Sequence, residues 1–137
     1  MKKNLLISVF FIISIISKAQ NNSLHLIKKF SIRSSGGWDY LELSPVNNSL
    51  YVSHSNQVNI IDRTTGDSLG VIKNTLGVHG IAFDKEHGKG FISNGKTNTV
   101  TVFDINTNVI LNQISTGKDP DDQCVSYFFP NSTFTST

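Results

Sequence analysis

Apolar and polar positions alternate in short runs after residue 40, and the whole pattern then repeats. Leu50-Tyr51-Val52-Ser53-His54 leads through a short loop to Val58-Asn59-Ile60-Ile61-Asp62 and a turn closed by Gly66. Its second copy is Gly90-Phe91-Ile92-Ser93-Asn94, a longer loop, Val100-Thr101-Val102-Phe103-Asp104 and a turn closed by Asn108. Val58 and Val100, Asp62 and Asp104, Thr65 and Thr107, Leu69 and Leu111, and Ile72 and Ile114 all stand 42 residues apart. Upstream of the inner loop the spacing is 40, as Ser53 and Ser93 or Leu43 and Phe83 show. Residues 95–99 add two positions relative to 55–57, and the register recovers so that Gly77 and Gly117 again differ by 40. Matched runs with length changes confined to the loops mark a structural repeat. A period near 40 with four short strands per unit is the spacing of β-propeller blades.

The first unit predicts strands at residues 40–43, 50–54, 58–62 and 68–72, with Pro45 and Gly66 in the turns. The second predicts strands at 81–83, 91–94, 100–104 and 109–114. Asn106 and Asn108 serve the turn that Gly66 serves in the first, because Asn accepts left-handed backbone better than most residues. Ahead of both units, Leu24, Leu26, Phe30 and Ile32 alternate with polar residues and predict one leading strand over residues 24–33. No run of ten residues after the N-terminal segment has helical periodicity. The expected fold class is all-β: a partial β-propeller of about two four-stranded blades plus a leading strand.

Composition changes this picture at the two ends. Lys2 and Lys3, an apolar run over residues 5–16 and Ser17-Lys18-Ala19 match a cleavable export signal, so residues 1–19 are expected to be removed. A twelve-residue run makes about 18 Å of helix, short of a ~30 Å hydrocarbon core, so no membrane association is expected after cleavage. The formal charge is +2, but without Lys2, Lys3 and Lys18 nine basic residues face ten acidic ones. Such a chain has no broad basic field for nonspecific nucleic-acid binding. Cys124 is the only cysteine, which leaves no internal disulfide.

The motifs Gly37-Trp38-Asp39-Tyr40-Leu41, Leu50 to His54, Gly77-Val78-His79-Gly80 and Phe91-Ile92-Ser93-Asn94-Gly95 resemble the YVTN-type β-propeller repeat family, also labelled YncE-like. Gly117-Lys118-Asp119-Pro120-Asp121 resembles the loop that opens a further blade in that family. The resemblance runs from about residue 36 to residue 122. It implies an exported seven-bladed ring, mostly without an assigned reaction. Some relatives are linked to single-stranded DNA, and related propellers include lactonases and haem- or quinone-bearing enzymes. None of their catalytic motifs is visible here. Residues 123–137 align with neither repeat, and a premature stop or shifted frame near Gln123 is the expected cause. The expected organisation is an export signal at 1–19, a leading strand and linker at 20–35, repeats at 36–122 and a divergent tail at 123–137.

In a four-stranded meander the start of the first strand and the loop between the second and third share one end. That end gathers the candidate ligand-binding residues Trp38, Asp39, His54, His79 and Asn94. A His pair with Asp39 has the donor types for a metal or a proton transfer. The plainer alternative is that His54 caps a strand and His79 bonds its own loop. Asp119, Asp121 and Asp122 lack the alternating ligands and central Gly of a calcium loop. Asp62 and Asp104 recur at matching turns, which points to structure, and Trp38 is either a stacking platform or a wedge between units. No nucleophile elbow, phosphate loop or Cys/His metal framework is present. The expectation is an exported binding scaffold without catalysis or cofactor, taking an unknown small molecule, polysaccharide or protein. The alternative is a lactonase-like hydrolase with a metal in its channel.

Overall fold

A computed structural model of the chain describes residues 24–32 and 35–121. The expected export signal and the divergent tail with Cys124 lie outside the described residues. All-β architecture is what the described residues form. In chain order the strands are β1 Trp38–Leu43, β2 Ser49–His54, β3 Gln57–Asp62 and β4 Ser68–Lys73, then β5 Val78–Asp84, β6 Lys89–Asn94, β7 Thr99–Asp104 and β8 Ile110–Ser115. They make two antiparallel four-stranded sheets, ordered β1-β2-β3-β4 and β5-β6-β7-β8. A single 3-10 turn, Gly95–Thr97, fills the longer β6–β7 loop. Each strand expected within the two repeats is present. The largest boundary differences are at β5, which begins three residues earlier than the alternation predicts, and at β1 and β6, which each begin two residues earlier.

The tight β3–β4 and β7–β8 turns repeat in atomic detail. The Asp62 carboxylate accepts the Thr64 and Thr65 N–H groups at 2.7 and 2.8 Å. Asp104 accepts the Asn106 and Thr107 N–H groups at 2.9 and 2.8 Å. Gly66 and Asn108 then take the left-handed position at φ 83° and 61°. Those backbone bonds hold both carboxyls below the ordinary aspartate range. A depressed folded-state value contributes stability that is present above the unfolded value and lost as pH falls through the folded one. The thermal midpoint is therefore expected to drop as pH falls below about 4. The acid limb should flatten in an Asp62→Asn/Asp104→Asn double variant followed by circular dichroism. An unchanged acid limb would remove these turns from the account.

The main core lies between the sheets. Tyr51, Val58, Ile60 and Ile72 of the first pack against Val78, Ile81, Ile92, Phe103 and Ile105 of the second unit. Tyr51, Phe83 and Phe103 form an aromatic trio with centroids 5.0 to 6.0 Å apart. The Tyr51 hydroxyl donates to Asn108 Oδ1 at 2.6 Å, fastening the first sheet to the β7–β8 turn. A second cluster, Phe91, Val100 and Val102 with Ile114, occupies the other face of the second sheet. It is the residue-by-residue repeat image of Tyr51, Val58, Ile60 and Ile72. On the first sheet, Leu41 and Leu43 are 61% and 49% exposed, whereas their images Ile81 and Phe83 are in or against the core.

The segment expected as a leading strand, the outer strand of a neighbouring unit, joins neither of these two sheets. Residues 24–32 form no rung with either sheet, and Leu24, Leu26 and Ile27 are exposed. Two contacts hold this segment on the β3–β4 turn instead. Lys28 Nζ donates to the Thr64 carbonyl. The Phe30 ring lies over Gly66, where a Cβ would come within 2.2 Å of it. Alternation alone could not specify an edge to pair with.

Candidate functional site

The early starts of β1 and β5 create the site. Trp38 pairs with His54 and Leu41 with Val52, so two residues, Asp39 and Tyr40, fall in a break of register. In the second sheet Val78 pairs with Asn94 and Ile81 with Ile92, leaving His79 and Gly80 in the equivalent break. Such bulges re-aim a side chain that regular pleating would keep on one face. In both sheets a buried serine replaces the lost ladder bond. The Tyr40 N–H donates to Ser53 Oγ at 2.6 Å and the Gly80 N–H to Ser93 Oγ at 2.8 Å.

Because β1 and β5 lie side by side, the two bulges bring Asp39 and His79 together. His79 Nδ1 is 2.6 Å from Asp39 Oδ2 and 3.5 Å from Asp121 Oδ1. Asp121 is placed through its backbone, whose carbonyl accepts from Ser93 Oγ at 2.7 Å and from the Gly80 N–H at 3.0 Å. Its side chain is thereby left pointing into an open cleft of about 220 Å³ lined by Asp39, Tyr40, His79, Gly80 and Asp121. The three side chains are 52%, 35% and 79% exposed in that order of Asp39, His79 and Asp121. Gly95 gives the imidazole room from the other side. A Cβ there would stand 2.6 Å from Asp119 Oδ1 and 2.8 Å from His79 Nε2.

Of the residues expected at this end, Asp39 and His79 meet and the other three do not join them. His54 is buried and stacked on Trp38 at a centroid distance of 3.9 Å. Asn94, the repeat image of His54, is also buried and donates to Thr99 and Thr101 Oγ1 at 3.0 and 2.8 Å. These side chains tie strand ends together. The third partner in the cleft, Asp121, does not follow the repeat. Asp119 is the image of Asp39 and His79, and a left-handed backbone at φ 53° carries the chain past it. The legible signal was the recurring serine, Ser53 and Ser93, which marks where each bulge is bonded.

Ser93→Ala tests that device. Ser93 is fully buried, and its loss leaves the Gly80 N–H and the Asp121 carbonyl bonded only to each other. We expect a destabilisation of about 1–3 kcal/mol in urea unfolding, with faster amide exchange at Gly80. Unchanged exchange at Gly80 would count against the serine's role.

No protein-family pattern matches the chain, and no curated protein matches it. Among solved structures it is similar to the hydrazine synthase of Kuenenia stuttgartiensis, with a TM-score of 0.62 at 18% identity over 75% of this chain. The chain spans about 30% of the length of that protein chain. At that identity the likeness concerns the fold alone.

Proposed function

We propose that this chain supplies adjacent blades of an exported β-propeller that binds a small polar ligand at one end of its inner strands, without catalysis. The blade reading is supported by the second apolar cluster, whose members are the repeat images of the surface that joins the two sheets. The family resemblance adds the seven-bladed ring and the export. The observation that carries the binding reading is the meeting of Asp39 and His79, at the starts of β1 and β5, with Asp121 from the segment after β8, in a cleft open to solvent. Two carboxylates around one imidazole favour a ligand with a cationic or strongly donating group, and exposed Tyr40 offers it an aromatic edge.

The test uses the full chain in EDTA, with glucosamine oligomers and spermidine as cationic probes and a neutral glucose oligomer as control. A cationic probe should raise the thermal midpoint, and Asp39→Asn should abolish the shift. Equal shifts from neutral and cationic probes would overturn the reading. The second reading, a lactonase-like hydrolase, is favoured by the 2.6 Å His79–Asp39 pair. Turnover of a lactone that disappears in His79→Gln would establish it in place of the first.

A further inference from the structure

We propose that Asp39, His79 and Asp121 form a site for a first-row divalent cation of the zinc or manganese type, which clamps successive repeats to one another. This deepens the reading of the same cleft and rests on it. One nitrogen and two oxygens, one from each residue, lie within 4.8 Å of one another. The set mixes an imidazole with two carboxylates, a donor combination suited to zinc or manganese and less so to the all-oxygen calcium shell.

The spacing also fits. Tetrahedral ligands about 2.1 Å from zinc stand about 3.4 Å apart. His79 Nδ1 and Asp121 Oδ1 are already 3.5 Å apart. Asp39 Oδ2, at 2.6 Å from Nδ1, has to retreat by less than an ångström, and its exposed side chain is free to rotate. Among the described residues the ion-pair partner of both carboxylates is His79 alone, and no Lys or Arg neutralises them. Two carboxylates thus face one imidazole, a donor set that a divalent cation suits. Gly95 is the second, independent feature. Its missing Cβ lets the His79 ring pack closely against Gly95 on its Nε2 side, which leaves Nδ1 facing Asp39 and Asp121.

Three protein ligands leave a fourth position for water or for an oxygen of the ligand. The three come from the first sheet, the second sheet and the segment beyond β8. Binding therefore cross-links consecutive units, and its free energy adds to their stability.

Isothermal titration of the full chain with zinc chloride, and separately with manganese chloride, reads the site. We expect one equivalent to bind and the thermal midpoint to rise with metal. Asp121→Asn is the decisive variant, because the Asp121 backbone carbonyl and not its carboxylate holds Gly80 and Ser93. It should fold like the parent and bind at least tenfold more weakly, and His79→Gln should lose the equivalent. Cys124→Ser and His87→Gln should bind as the parent does, which separates this site from the thiol and from the His87–Asp84 pair. Parent-like titration of Asp121→Asn and His79→Gln, or no binding of either metal at millimolar concentration, would overturn the proposal. The cationic-probe test is run in EDTA, so the two readings fail independently: probe binding can be absent with zinc binding intact, and the reverse.

Discussion

Replacing Phe103 with alanine is expected to lower the unfolding free energy by about 3–5 kcal/mol. Phe103 is 0% exposed and completes the aromatic trio with Tyr51 and Phe83. Truncation removes its transfer free energy and leaves a cavity between two sheets whose central β2–β3 and β6–β7 ladders are unbroken. The loss also weakens the only large core joining the described sheets, so the two should separate earlier than either unravels. Urea unfolding followed in parallel by tyrosine fluorescence and far-ultraviolet circular dichroism checks this. An unfolding free energy within about 0.5 kcal/mol of the parent would refute the assignment of this ring as the keystone of the interface.

The second large effect is expected at Gly90, which sits opposite Phe103 in the β6–β7 ladder. A Cβ on Gly90 would lie 2.1 Å from Phe103 Cζ and 2.3 Å from Cε1. Alanine is ordinarily favoured over glycine within a strand by about 0.5–1 kcal/mol. Here the overlap is with a ring that has no room to retreat, and overpacking of this kind costs about 1–3 kcal/mol. Gly90→Ala should therefore be destabilising on balance. In a Phe103→Leu background the same substitution should be close to neutral, because the atoms that the Cβ meets are gone. A double-mutant cycle measures that coupling directly. Additive effects within 0.3 kcal/mol would show that Gly90 is not reserved for the ring. The first sheet bears on the same point: the equivalent pair is Leu50 with Ile61, a side chain on both sides and no aromatic ring.

The repeat was legible because side-chain period and turn chemistry act locally. Alternation in Leu50 to His54 and Gly90 to Asn94 sets strand faces whatever lies beyond them. Asp62 with Gly66 and Asp104 with Asn108 close their turns through bonds made within five residues. The all-β class and both four-stranded units follow from such short-range terms. Segment 24–32 shows the complementary limit of local reading. An alternating run states which face is apolar and not which edge receives it, and Lys28 and Phe30 found the β3–β4 turn instead.

The sequence by itself determined eight strands, their faces and the common end to which Asp39 and His79 belong. Tertiary structure decided which of the gathered residues touch. Two breaks of register, at Asp39–Tyr40 and His79–Gly80, turn side chains out of the pleat, and a register break leaves no mark in hydrophobic period. Burial then withdrew His54 and Asn94 into strand-end contacts, and Asp121 entered through a backbone carbonyl held by Ser93. Contacts across 40 or more residues depend on where sheets lie relative to one another, and that placement is fixed by side-chain volume between them. Local propensity does not encode it.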